Sequence, residues 1–148
     1  MQRSGNDEKN LLAIFLTIAA ILFYEPLTTI YPFLPPLFGL AVWKVYSSKN
    51  IFIKVLWIFY LYLYEVDHNI VGFALLITLF LSYSVSHKIA QLFYCKTCLK
   101  VVLVLLFYAI FVLLLNFLSY IFNSNYNFNW IDILYYLIID IIIVAYAV

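Results

Sequence analysis

Between Val101 and Phe122 the chain runs VVLVLLFYAIFVLLLNFLSYIF, without one charged residue. About 20 apolar residues are what an α-helix needs to cross the hydrocarbon core of a bilayer. Shorter apolar runs separated by polar punctuation fill the remainder of the chain. The whole is 68% hydrophobic and 10% charged, with a mean hydropathy of +1.06. Soluble domains average roughly 45–50% apolar and about 25% charged residues, so this chain lacks the polar side chains to cover a water-facing surface. The same figures exclude a disordered chain, and a net charge of +1 excludes a nucleic-acid binder.

The expected fold is therefore all-α: a polytopic integral membrane protein of about six transmembrane helices in a single domain covering residues 1–148. The punctuation places the spans near residues 7–24, 33–46, 51–64, 70–86, 101–122 and 130–148. Glu25-Pro26 interrupts after the first. Tyr24-Glu25-Pro26-Leu27 offers no small-x-small cleavage site, so that run reads as an uncleaved span. Pro32, Pro35 and Pro36 crowd the second, whose regular helix is expected to begin near Pro36 after a broken stretch from Thr28 to Pro35. The fourth connection, His87 to Lys100, reads as an interfacial segment. The loop before the last span is Asn123 to Asn129, and Asn129 to Asp132 has capping-box spacing. No apolar–polar alternation supports a β-barrel.

The charges set the sidedness. Arg3 and Lys9 precede the first span; Lys44, Lys49 and Lys54 flank the second connection; Lys88, Lys96 and Lys100 lie in the fourth. These are all eight Lys and Arg residues, and in a six-span layout they fall on one side. The first and third connections carry Glu25, Glu65 and Asp67 instead. The positive-inside rule then puts both termini in the cytoplasm, in a multi-pass protein of the cell inner membrane. Tyr60, Tyr62 and Tyr64, Tyr126, Phe128 and Trp130, and Trp43 and Tyr46 read as interfacial belts.

Asp140, near the middle of the last span, is the sharpest single residue. A carboxylate at that depth costs at least about 2.5–3.5 kcal/mol, so it is either a proton- or cation-binding group or a protonated hydrogen-bonding link between helices. Its expected partners are Thr17, Thr78, Asn116 and Ser119, with Asp140, Thr78 and Asn116 forming a candidate intramembrane polar site. A second candidate is the outer turn, where Glu65, Asp67 and His68 could hold a metal or relay protons, or simply keep the turn wet. Cys95-Lys96-Thr97-Cys98 is a lone CxxC, lacking the four ligands of a zinc site and expected to be reduced. With three glycines there is no phosphate-cradling loop, and no catalytic motif stands out.

The size, the five-to-six-span plan, the Pro32, Pro35 and Pro36 lead-in to a short second span, the acid closing the third span at Tyr64-Glu65-Val66-Asp67 and Gly72 opening the fourth resemble the MreD family of the bacterial rod-shape machinery. The likeness covers the first ~90 residues. It departs from the family pattern in lacking glycines in the third span and an arginine before the second-span proline. The resemblance implies a scaffold binding MreC and peptidoglycan-synthesis enzymes. The leading reading is a non-enzymatic membrane scaffold or adaptor, needing no cofactor, that works through the lipid bilayer and other membrane proteins. The alternative is a small proton- or ion-coupled transporter, or a substrate-binding membrane component, using Asp140.

Overall fold

Apolar stretches satisfy their own backbone as helices, and among the described residues six segments do so. The computed structural model describes residues 4–70, 73–91, 95–122 and 129–146, with the side chains of 4–10, 13 and 96 excepted. Among the described residues the regular structure is helical throughout: α1 (Ser4–Ile30), α2 (Phe38–Ser47), α3 (Ile51–Asp67), α4 (Ala74–Ala90), α5 (Lys96–Phe122) and α6 (Trp130–Tyr146). Among the described residues one helix, over Thr97–Phe122, is long and apolar enough to cross a membrane by length and composition alone. Arg3, Gly72, the Leu92–Tyr94 stretch, Tyr126 and Phe128, which figure in the sequence reading, lie outside the described residues.

Several boundaries differ from those the sequence suggests. The interruption expected at Glu25-Pro26 does not occur, because α1 continues through Pro26 to Ile30. Proline forfeits its own N–H bond in a helix. In the turn that follows, the Thr28 and Thr29 hydroxyls donate to the carbonyls of Glu25 and Pro26 at 2.7 and 2.6 Å. The break falls instead at Tyr31–Leu37, where three prolines within five residues leave no continuous ladder. At the far end of α3, Glu65 to Asp67 complete the helix rather than forming a turn. The His87–Lys100 connection is also largely helical, because α4 runs to Ala90 and α5 starts at Lys96.

The short α2 is the hub, packing on α3, α5 and α6; α4 packs on α5 and α3, and α1 on α3. Phe38, its first residue, sits edge-on to Tyr64 with ring centroids 4.8 Å apart and about 6 Å from Phe107, Tyr108 and Phe111. Tyr60 and Tyr64 are buried in this core and are not belt residues; only Tyr62 of that trio faces outward. Helical periodicity explains the split, since positions i and i+4 share a face that i+2 opposes.

The two ends of the helices differ in charge. At one, the Lys100 ammonium stands 5.3 Å from the Trp43 ring, and Tyr46 approaches His87. At the other, the Glu25 carboxyl meets that of Asp67. Lys44 and Lys54 belong to the first end by their place on α2 and α3.

Candidate functional site

A helix that starts inside a protein exposes N–H groups with no partner of their own. The N-cap of α2 is Leu37, whose side chain cannot accept a hydrogen bond, and none is made. The acceptors come from other helices. Leu37 N–H donates to the Tyr60 hydroxyl of α3 at 3.2 Å, and Gly39 N–H donates to Asp140 Oδ2 of α6 at 2.8 Å. Phe38 N–H is directed at the same carboxylate. From α5, the Tyr108 hydroxyl donates to Asp140 Oδ2 at 2.7 Å. Asp140 is fully buried, and the positive end of the α2 dipole faces it.

The proline segment ahead of α2 is tied down by the same device in reverse. Its carbonyls accept from tyrosines: Tyr24 of α1 donates to Pro35 at 2.6 Å, and Tyr136 of α6 donates to Pro32. Tyrosines of α1, α3 and α6 thus hold a stretch of backbone that cannot hold itself.

Gly39 permits the approach. A Cβ there would stand 3.0 Å from Val104 Cγ2, 3.1 Å from Asp140 Cβ and 3.2 Å from Asp140 Cγ. A side chain there would crowd Val104 of α5 and Asp140 of α6, which would have to give by a few tenths of an ångström. Asp140 Oδ1 is buried with no partner among the described residues, so the group has one oxygen fully engaged and one unspent.

Three of the expected partners of Asp140 lie elsewhere. Thr78 is buried on α4 but donates to its own helix, to the Ala74 carbonyl at 2.6 Å. Asn116 is exposed on α5. Thr17 lines a cleft with Lys44, Ser47 and Trp57. Gly39 and Tyr108, which do bond Asp140, escape sequence reasoning because each reaches it from another helix. The available signal was the proline break itself, which demands a cap at the depth of the one lone acid.

Glu65, Asp67 and His68 do not converge. Glu65 Oε1 accepts Leu75 N–H at 3.3 Å and is approached by Ala74 N–H, so it caps α4, whose own N-cap is Phe73. Asp67 turns to Glu25 of α1. The His68 ring stacks on Tyr64 at 3.9 Å, with Nδ1 3.1 Å from the Tyr64 carbonyl. Among the described residues no three His, Cys, Asp or Glu side chains are grouped to hold a metal.

Cys95 and Cys98 are free and exposed at the start of α5. The Cys95 sulfur accepts Cys98 N–H at 3.4 Å, an N-cap made by a thiol. Hydrogen bonds from the Cys98 thiol, then from the Cys98 and Thr97 backbone, hold the Cys95 thiol below its ordinary range. Comparison with family models, curated proteins and solved structures finds no match.

Proposed function

We propose that the chain is a polytopic inner-membrane protein with cytoplasmic termini that acts as a non-enzymatic scaffold, gripping other membrane proteins through its helix faces. One observation carries the reading: its large apolar side chains face outward on every side. Phe33 is 82% exposed, Phe23 76%, Leu113 70% and Phe80 70%, on four different segments of the chain. Apolar patches beyond a few hundred Å² mark a lipid or protein partner, not water.

The short helices fit this reading. A 17-residue helix rises about 26 Å, close to the ~30 Å hydrocarbon core. Irregular backbone at membrane depth needs its polar groups satisfied within the protein, and Tyr24, Tyr60 and Tyr136 hydrogen-bond the backbone of Pro35, Leu37 and Pro32. The lysine-bearing end would face the cytoplasm. The buried carboxyls of Asp140 and Glu65 each cap a helix, a structural use of the interior acids that favours a scaffold. The MreD-like layout points the scaffold toward cell-envelope elongation. Pull-down in mild detergent should recover a stoichiometric membrane partner, and deletion should alter cell shape. Recovery of the protein alone in several detergents, with normal morphology, would sink the reading.

A second reading, a small proton-coupled transporter, is favoured by the unspent Oδ1 of Asp140 beside a broken helix, a place where transporters bind ions. It requires pH-driven flux in proteoliposomes that Asp140→Asn abolishes.

A further inference from the structure

α3 and α4 are joined tightly at the acidic end and part toward the basic one. Near the turn, Ile70 N–H donates to the Glu65 carbonyl at 3.0 Å, and Phe73 stacks on Tyr62. Toward the start of α3 the two helices leave an apolar trough of about 400 Å³. Its walls are Ile58 of α3 and Leu76 and Phe80 of α4, its floor Val45 of α2, and Lys54 stands at its basic end beside Tyr83. No carboxylate lies in that lining. A volume of roughly 300–1,000 Å³ is usual for a small-ligand site. A side recess shares Val45, Leu79 and Tyr83 with the trough, and in it Ser82 Oγ is 1% exposed with no hydrogen-bond partner among the described residues.

We propose that this trough binds one anionic phospholipid, with an acyl chain along Ile58, Leu76 and Phe80 and the phosphate on Lys54. The inference rests on the membrane reading above and adds a ligand to it. A mainly apolar trough with a single ammonium at its end matches a chain terminated by one anion. Lys54 lies in the first turn of α3, at the basic end, where headgroups of a cytoplasmic leaflet would lie.

The test uses full-length protein, washed in membranes at alkaline pH, purified in mild detergent and stripped of lipid. Native mass spectrometry then counts retained phosphatidylglycerol against phosphatidylcholine of the same chains. One phosphatidylglycerol per chain is expected at concentrations where phosphatidylcholine is not held. Lys54→Gln should weaken that binding about fivefold, while Lys54→Arg and Lys49→Gln leave it unchanged. Ile58→Trp should block the trough and abolish retention. Equal retention of both lipids, an equal loss in Lys49→Gln, or a preference that survives Ile58→Trp overturns the site. Protein that leaves the membrane on washing overturns the membrane reading and the site with it; protein that stays but retains no phosphatidylglycerol overturns the site alone.

Discussion

Asp140 of α6 accepts the Gly39 N–H of α2 at 2.8 Å, across a sequence separation of 101 residues. The acid of one helix thereby supplies the cap that another helix lacks. Removing an acceptor strands its donors, and each buried unsatisfied donor costs about 1–3 kcal/mol. Asp140→Ala strands Gly39 N–H and the Tyr108 hydroxyl together, so a loss of about 3 kcal/mol is expected. Asp140→Asn keeps one acceptor oxygen in the same place and should cost about 1 kcal/mol or less. Denaturation of the detergent-solubilised variants checks this ordering. Equal losses for Asn and Ala would show that the charge matters and the cap geometry does not.

The complementary partner is Gly39. Alanine is the better helix former by about 1 kcal/mol, so an unconstrained Gly39→Ala would stabilise. Here the added Cβ meets Val104 and Asp140 at 3.0–3.2 Å, and crowding of that kind costs about 1–3 kcal/mol. Gly39→Ala should therefore destabilise. The Gly39→Ala, Asp140→Ala pair should also be markedly non-additive, because both changes damage one contact. Additive losses in the double-mutant cycle would count against a shared contact.

What could be read from the chain follows from range. The helices, the break at the prolines and the segregation of lysines are local or compositional, and periodicity or simple counting reveals them. Asp140 stood out for the same reason, as one acid in an apolar run. Its partners did not, because a hydrogen bond from α2 to α6 leaves no local trace. Glu65 shows the same limit: three polar residues within four positions suggest one cluster, yet helical geometry sends Glu65 to α4, Asp67 to α1 and His68 back onto Tyr64. Pro26 misled in the opposite sense, since proline weighs against a helix, yet α1 runs through it to Ile30.

Glu65 should behave as Asp140 does. The residue ahead of α4, Phe73, has φ near +56°, a left-handed conformation costly for a bulky side chain, and offers no cap of its own. Glu65→Gln preserves an acceptor for Leu75 N–H, whereas Glu65→Ala removes it. Amide exchange at Leu75 is expected to stay slow in the first variant and to accelerate about tenfold or more in the second, the equivalent of ~1.4 kcal/mol within the 1–3 kcal/mol of a stranded donor. Fast exchange in both would show that the carboxylate charge, not the cap, protects the amide.

The cysteines report on sidedness and local chemistry together. Thiolates, not thiols, react with maleimides, and a thiol held below its ordinary pKa is more thiolate at neutral pH. Cys95 receives the Cys98 hydrogen bonds, so a protein carrying only Cys98→Ser should keep a reactive exposed thiol, although the loss of the Cys98 thiol partner slows it somewhat. The Cys95→Ser variant, left with Cys98 alone, should label more slowly at pH 7. Both thiols lie at the end that carries Lys100 and Trp43. If that end is cytoplasmic, a membrane-impermeant maleimide labels neither cysteine in intact cells and both after permeabilisation. External labelling of either would reverse the orientation while leaving the Asp140 cap untouched.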